Sequence, residues 1–403
     1  MTLLGFIGII LGLVAGRFAF VAVDRLRISM FALAYILHVT ASLAFYVFVQ
    51  TESADSALYY YDPMNYYERN GFGLSTDLIV WFVQSIKQNF GGTYLDFFLL
   101  FQAFGFWGIA LLMRIFEELY VEVGEPQPLF TFALLLIPSL HWWSGGVGKD
   151  APFFFALTLT LWASLHMRRR LVWLGLSILF LLAIRAHIAL LVLAALFLMV
   201  VSERKIALWQ RTALSIAAGL GIWAAISTIQ TTLNIDVTDA DSLAFALEVR
   251  ENVLNSADAG TSRVDAAYVY RLFSLLFRPI FYDAEDMFGY VTSVENLLVA
   301  LLFGYGLLRL PTILYLARTV AFFRYAFLAM IFIIGFQALA YYNVGLGLRQ
   351  KWTMIVPFLF VLFISLIAFS RAKARATAEK QPTATHLRPK RALAGRAVGE
   401  GPG

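Results

Sequence analysis

The chain has 403 residues, of which 60% are hydrophobic and 14% charged, and its net charge is +5, whereas soluble domains carry roughly 25% charged residues. That balance argues against a soluble-type enzyme or a nucleic-acid binder, and the absence of cysteine excludes disulfides and thiolate metal sites. About eleven apolar stretches recur, most of them near the ~20 residues that cross a bilayer.

In chain order the apolar runs fall at 3–23, 28–49, 94–114, 129–143, 151–166, 171–184, 188–201, 212–232, 294–309, 325–342 and 352–370. The expected fold is all-α: a polytopic transmembrane helical bundle of about eleven spans, with interfacial helices on the extracytoplasmic side. The first run is not expected to be a cleavable signal peptide, because no basic segment precedes it and Arg25 and Arg27 follow it. Arg25/Arg27, Arg114, Arg168-Arg169-Arg170, Arg204/Lys205/Arg211 and Arg309/Arg318/Arg324 then alternate onto one side, together with the basic end of the chain. By the positive-inside rule that side is cytoplasmic, with the N-terminus out and the C-terminus in, in the plasma (inner) membrane. Residues 1–370 form the membrane domain. Residues 371–403, with Arg371, Lys373, Arg375, Lys380, Arg388, Lys390, Arg391 and Arg396, are expected as a disordered basic tail beside anionic lipid.

The polar motifs fall in the outer segments. Within 50–76, the run Tyr59-Tyr60-Tyr61-Asp62-Pro63-Met64-Asn65-Tyr66-Tyr67 sets an acid among aromatic faces that stack on sugars, although tyrosines also form interfacial belts. Pro63 should hold Asp62 extended, and Arg69 lies near enough for either a catalytic pair or a loop ion pair. The segment 77–90 starts at a capping acid, Asp77, and stops at Gly91-Gly92; too short to span, it should lie along the interface.

Gly145-Gly146-Val147-Gly148-Lys149-Asp150 is no phosphate loop, since Trp143 stands for the first glycine, Asp150 for the Ser/Thr, and no strand precedes it. It still leads through glycines into a helix with Pro152 in its first turn and Lys149 at its positive end, a place for a phosphate or a loop capped by Asp150. Arg185-Ala186-His187 occupies the turn between two short spans, where charge is expensive. Arg271 and Arg278 share a face if helical and are flanked by leucine and phenylalanine, a combination suited to a lipid-linked phosphate. Asp283, Glu285 and Asp286 offer a divalent-cation cluster or a solvated run. Gly345-Leu346-Gly347-Leu348-Arg349-Gln350-Lys351 puts two cations before the last span, beside glycines that allow close backbone approach. Only Arg17 sits near a midplane, where a transporter would more typically place its charges.

These motifs resemble the EpsG-like and Wzy-type polysaccharide polymerases and, more distantly, the GT-C glycosyltransferases. The resemblance covers most of residues 1–370 as a topology. Its motifs are the segment Asp62 to Arg69, the run Pro138-Ser139 through Trp142-Trp143-Ser144-Gly145-Gly146 to Lys149-Asp150, the Arg185/His187 turn and Leu348-Arg349-Gln350-Lys351. GT-C enzymes usually place their acid after the first span, and Asp62 follows the second, which points to the polymerase branch. The resemblance implies transfer of a glycan from a polyprenyl-diphosphate donor on the outer membrane face without a nucleotide; no cofactor is expected beyond the divalent cation that Asp283, Glu285 and Asp286 could bind, and other polysaccharide-assembly proteins are candidate partners. Asp62, with Asp150 as the alternative, would be the catalytic acid/base. Arg69, Lys149, Arg185, His187, Arg271, Arg278, Arg349 and Lys351 would bind the substrate, the arginines gripping the diphosphate. The competing expectations are a transporter or flippase of an anionic lipid-linked glycan and a non-catalytic subunit of an exopolysaccharide complex.

Overall fold

The structure is a computed structural model that describes residues 1–22, 24–52, 54–203, 208–233, 239, 241–242, 268–339 and 344–380. The described residues are helical, with no strand among them. The helices are α1 Leu3–Val14, α2 Gly16–Ala19, α3 Arg25–Phe48, α4 Asp55–Tyr61, α5 Tyr66–Asn70, α6 Thr76–Phe90, α7 Tyr94–Glu122, α8 Phe130–Ala133 and α9 Pro138–Ser144. There follow α10 Asp150–Leu165, α11 Leu171–Ser202, α12 Leu208–Leu233, α13 Tyr268–Phe277, α14 Met287–Leu308, α15 Leu310–Thr319, α16 Ala321–Leu339, α17 Val344–Gln350 and α18 Val356–Lys380. A π-helical turn, Lys351–Ile355, joins the last two.

By length and composition, 6 helices can cross a membrane: α3, α7, α11, α14, α16 and the run Val344–Glu379. Leu3–Ala19, Asp150–Leu165 and Tyr268–Phe277 are shorter apolar helices. The chain is thus a multi-pass membrane protein.

Helix α7 is the hub, apolar around nearly its whole circumference and packed by α1, α3, α10 and α18. A helix buried all round is what such a pattern requires. Helix α1 lies on it through Gly5 and Gly8, while Gly12 faces Tyr35 of α3; a Cβ on Gly8 would fall 2.2 Å from the Leu99 carbonyl oxygen. Small residues give this backbone approach, the usual adhesive between helices in lipid. Helix α10 runs beside α7, with Phe154 against Gly108.

Three elements depart from expectation. The run 129–143 is broken into α8, a 3₁₀ turn at Leu134–Leu136 and α9, because Pro138 holds Ile137 extended (φ −68°, ψ 123°). The runs 171–184 and 188–201 join in α11, interrupted only at Arg185 (φ −145°, ψ 77°). Helix α18 continues past 370 to Lys380; residues 381–403 of the expected tail, and Arg204 and Lys205, lie outside the described residues.

Charge gathers at the two ends of the bundle. At one end Glu117 and Glu118 of α7 meet Arg27, Arg114 and Arg170, and Arg375 of α18 lies 3.8 Å from Glu125; this is the basic end. The first half of α11 leads from Arg170 there to Arg185 at the other end, and the second half leads away to Ser202, which accepts from Arg324.

Candidate functional site

Asp150 opens α10 and is buried, 7% exposed. One carboxylate oxygen accepts from Arg185 Nη2 at 2.5 Å, and the other from Arg349 Nε. Arg349 also donates to Asp55 at 2.8 Å, which ties α17 to the start of α4. The Arg185 guanidinium lies over the ring of Phe153, 5.2 Å from its centroid. Three segments far apart in sequence therefore converge on one carboxylate.

The backbone around this cluster is strained. The break at Arg185 leaves the Ala183 carbonyl open to Ser75 N–H, at 2.7 Å. Ser75 itself has φ 59° and ψ −116°, a region that non-glycine residues rarely enter. Such outliers cost on the order of 1–3 kcal/mol and persist where the surroundings over-determine them, often at functional sites. Lys149 completes the cluster: its Nζ donates to Thr76 Oγ1 at 3.0 Å and to Ser75 Oγ at 3.5 Å. It forms no ion pair among the described residues. Burial, and next the neighbouring Arg185, lower the Lys149 ammonium to about 8. Tyr59, 2% exposed, closes the inner wall, and Gly148 (φ +152°) presses its backbone on the tyrosine ring, where a Cβ would come within 3.1 Å. Burial, with Asp55 adding to it, raises the Tyr59 phenol, so it remains a neutral hydroxyl.

Lys149, Asp150, Arg185 and Arg349 of the expected set thus share one place, with three cations to the two carboxylates Asp150 and Asp55. The rest lie elsewhere. Asp62 is not extended: it is the left-handed C-cap of α4 (φ 46°, ψ 53°), and its two carboxylate oxygens accept from Tyr66 N at 2.7 Å and Tyr67 N at 2.8 Å. An acid at this position satisfies the open amides that begin α5. Arg69 is exposed, and no hydrogen bond or ion pair joins it to Asp62. His187 lies against Phe336, with ring centroids 5.7 Å apart.

Arg278 lies past the end of α13, so it does not share a helical face with Arg271. It grips Asp283 with two nitrogens, at 2.8 and 2.5 Å, and donates to Tyr270 at 2.7 Å. Arg271 is half-buried and donates to the Leu339 carbonyl at 3.3 Å. Lys351 is fully buried and donates to Asn296 Oδ1 at 2.5 Å and the Arg278 carbonyl at 3.1 Å, with Glu295 as its electrostatic partner. The carboxylates at 283–286 are divided rather than pooled: Asp283 serves Arg278, Asp286 caps α14 at Gly289 N (2.7 Å), and Glu285 is exposed. Among the described residues, no three metal-type ligands converge.

Sequence reading passed over Asp55, Ser75 and Thr76. Their only local signal is a polar residue at the start of a helix, which most helices have. It also passed over His38 and His141, which meet inside the bundle. Comparison with protein-family models, curated proteins and solved structures finds no match.

Proposed function

We propose that this chain is a polysaccharide polymerase or allied glycosyltransferase that uses a polyprenyl-diphosphate-linked glycan at the extracytoplasmic membrane face. One observation carries the reading: three half-buried cations, Lys149, Arg185 and Arg349, stand around the buried carboxylate of Asp150 and the exposed one of Asp55 at the end of the bundle opposite the basic loops. A partly desolvated cation surplus attracts an anion, and two arginines present forked donors that fit diphosphate oxygens. In this reading the diphosphate competes with Asp55 and Asp150 for the guanidiniums. Asp150, released, takes the proton of the acceptor hydroxyl as its oxygen bonds to the anomeric carbon. The bond from that carbon to the diphosphate oxygen breaks, and polyprenyl diphosphate leaves with its new charge on Lys149, Arg185 and Arg349. Asp150 replaces Asp62 in that role because its partners are the two arginines that the diphosphate would engage, whereas the oxygens of Asp62 accept from the backbone amides of Tyr66 and Tyr67.

The same reading takes about eleven crossings, with the N-terminus outside and the C-terminus in the cytoplasm, as the basic loops imply. The chain has no native cysteine, so Glu68→Cys should react with an impermeant thiol reagent in intact cells while Glu379→Cys stays protected. The reverse labelling would overturn the orientation and the outer-face chemistry with it.

A second reading, a transporter of the same lipid-linked anion, is favoured by one feature: neither Asp62 nor Asp150 has a free oxygen. Purified protein in nanodiscs, given polyprenyl-diphosphate oligosaccharide, separates the two. Longer glycans on a gel are expected from the native chain and not from Asp150→Asn. Binding without elongation, together with movement of the lipid across vesicles, would establish the transporter; neither activity would leave a subunit of a larger assembly.

A further inference from the structure

His38 of α3 and His141 of α9 are both fully buried, 0% exposed, and their Nδ1 atoms lie 3.2 Å apart. The other nitrogen of each ring faces a backbone carbonyl: His38 Nε2 lies 3.0 Å from the Gln102 oxygen, and His141 Nε2 lies 2.8 Å from the Leu135 oxygen. Carbonyl oxygens only accept, so each of those two contacts needs a proton on Nε2. The Nδ1 contact needs a third. Two neutral imidazoles carry one N–H each. Any neutral tautomer therefore leaves lone pair against lone pair at one of three close contacts between fully buried groups.

We propose that His38 and His141 form a proton-binding site holding one additional proton between their Nδ1 atoms, so that the pair carries a single positive charge inside the bundle. The ligand is a proton taken from solvent, and no bond other than N–H forms or breaks. The surroundings suit a cation held by dipoles. From α7 come the Gln102 carbonyl and the ring of Phe106, 5.6 Å from His38. The 3₁₀ turn before α9 supplies the Leu135 carbonyl, and α3 adds Tyr35 and Ser42, whose hydroxyls donate to other carbonyls. Among the described residues, no carboxylate, lysine or arginine has an electrostatic contact with the pair, and the one titratable neighbour of His38 is His141. Helix α9 leads through Gly145–Gly148 into Lys149 and Asp150, and Ser42 Oγ donates to the Gly145 carbonyl at 2.7 Å. Loss of the proton would set two lone pairs together and separate α3 from the segment that carries the cation cluster. The site stands apart from the proposed transfer chemistry and does not depend on it.

The chain has 5 histidines, few enough to resolve by nitrogen-15 NMR of histidine-labelled protein in nanodiscs. The expected spectrum has one imidazolium shared by a coupled pair at neutral pH, which gives up one proton in a single step as the pH rises between about 5 and 9. His38→Gln and His141→Gln should each abolish that step, because an amide supplies donor and acceptor without an extra proton. The native spectrum decides even if those variants fail to accumulate. Two neutral rings with bare Nδ1 across the whole range would overturn the proposal, as would a step that persists in both variants.

Discussion

The two charged ends of the bundle are built differently. At the basic end Glu118 accepts from Arg114 at 2.6 Å and Arg170 at 2.9 Å, while Glu117 holds Arg27 at 3.1 Å and the amides of Val21 and Ala22. With Asp24 and Glu122 close by, that network has a carboxylate for every cation in it. At the opposite end Arg185 and Arg349 share Asp150, Asp55 is exposed, and the hydrogen bonds of Lys149 among the described residues go to the hydroxyls of Ser75 and Thr76. Buried ion pairs roughly break even when complete and are costly when one partner is missing. A balanced network is therefore sufficient as structure. A surplus cation, half-buried beside a strained backbone and without an ion-pair partner among the described residues, is what the proposed anion site rests on.

The comparison breaks first at the acids. Asp150→Asn should lower glycan transfer by roughly 10²–10⁴-fold per folded molecule, the usual effect of removing a general base. The matching change at the basic end, Glu118→Gln, should lower the thermal midpoint and leave transfer intact. Chain-length gels and melting curves on both variants decide it: equal loss of transfer from both would mean that the two ends differ in nothing functional.

Arginine geometry gives a smaller effect. Arg349→Lys keeps the charge but loses the fork that reaches Asp55 and Asp150 together. Charge-assisted hydrogen bonds contribute about 1.5–3 kcal/mol, so binding of a polyprenyl diphosphate should weaken roughly tenfold or more. Isothermal titration in nanodiscs measures it. Arg278→Lys, whose partner is Asp283, should leave that affinity unchanged.

Much of this contrast was legible in the sequence. The apolar runs and the alternating arginines give the helical bundle and its two ends, and the cations placed against the charge bias include Lys149, Arg185 and Arg349. What local sequence does not carry is partnership. Arg278 and Arg349 look alike as arginines at helix ends, yet one closes on a carboxylate five residues away and the other on carboxylates hundreds of residues away. Asp62 beside its tyrosines looks more catalytic than Asp150, because the turn that folds its carboxylate onto Tyr66 and Tyr67 depends on a left-handed residue where Pro63 suggests an extended one. The histidine pair has no local signal: its members are 103 positions apart on apolar helices.

Protonation of Lys149 supplies a several-fold effect with a definite sign. Burial and Arg185 bring its ammonium down to about 8, so it is charged below that pH and neutral above it. A bound diphosphate favours the charged form. Affinity should therefore be full near pH 7 and fall as the pH rises through 8 toward 10. Lys149→Arg, which stays charged throughout, should flatten the profile. A native profile that is already flat would remove Lys149 from the anion site and leave the two arginines alone there.

The smallest effect is expected at Asp62, and it tests the comparison from the other side. Both of its oxygens accept amide protons at the start of α5, which makes it a cap. In Asp62→Asn one oxygen becomes an NH₂ that meets an N–H head on, so the short helix should loosen by about 0.5–2 kcal/mol, the range seen when caps are removed. The cluster around Asp150 shares no hydrogen bond with it, so transfer should stay near normal while protease sensitivity within 62–75 rises. Asp62→Ala should behave alike, since an absent cap and a mispaired one both open the same turn. Collapse of transfer in both variants, with unchanged protease sensitivity, would return the base to Asp62. Asp150 would then be the counter-ion of a purely structural arginine pair.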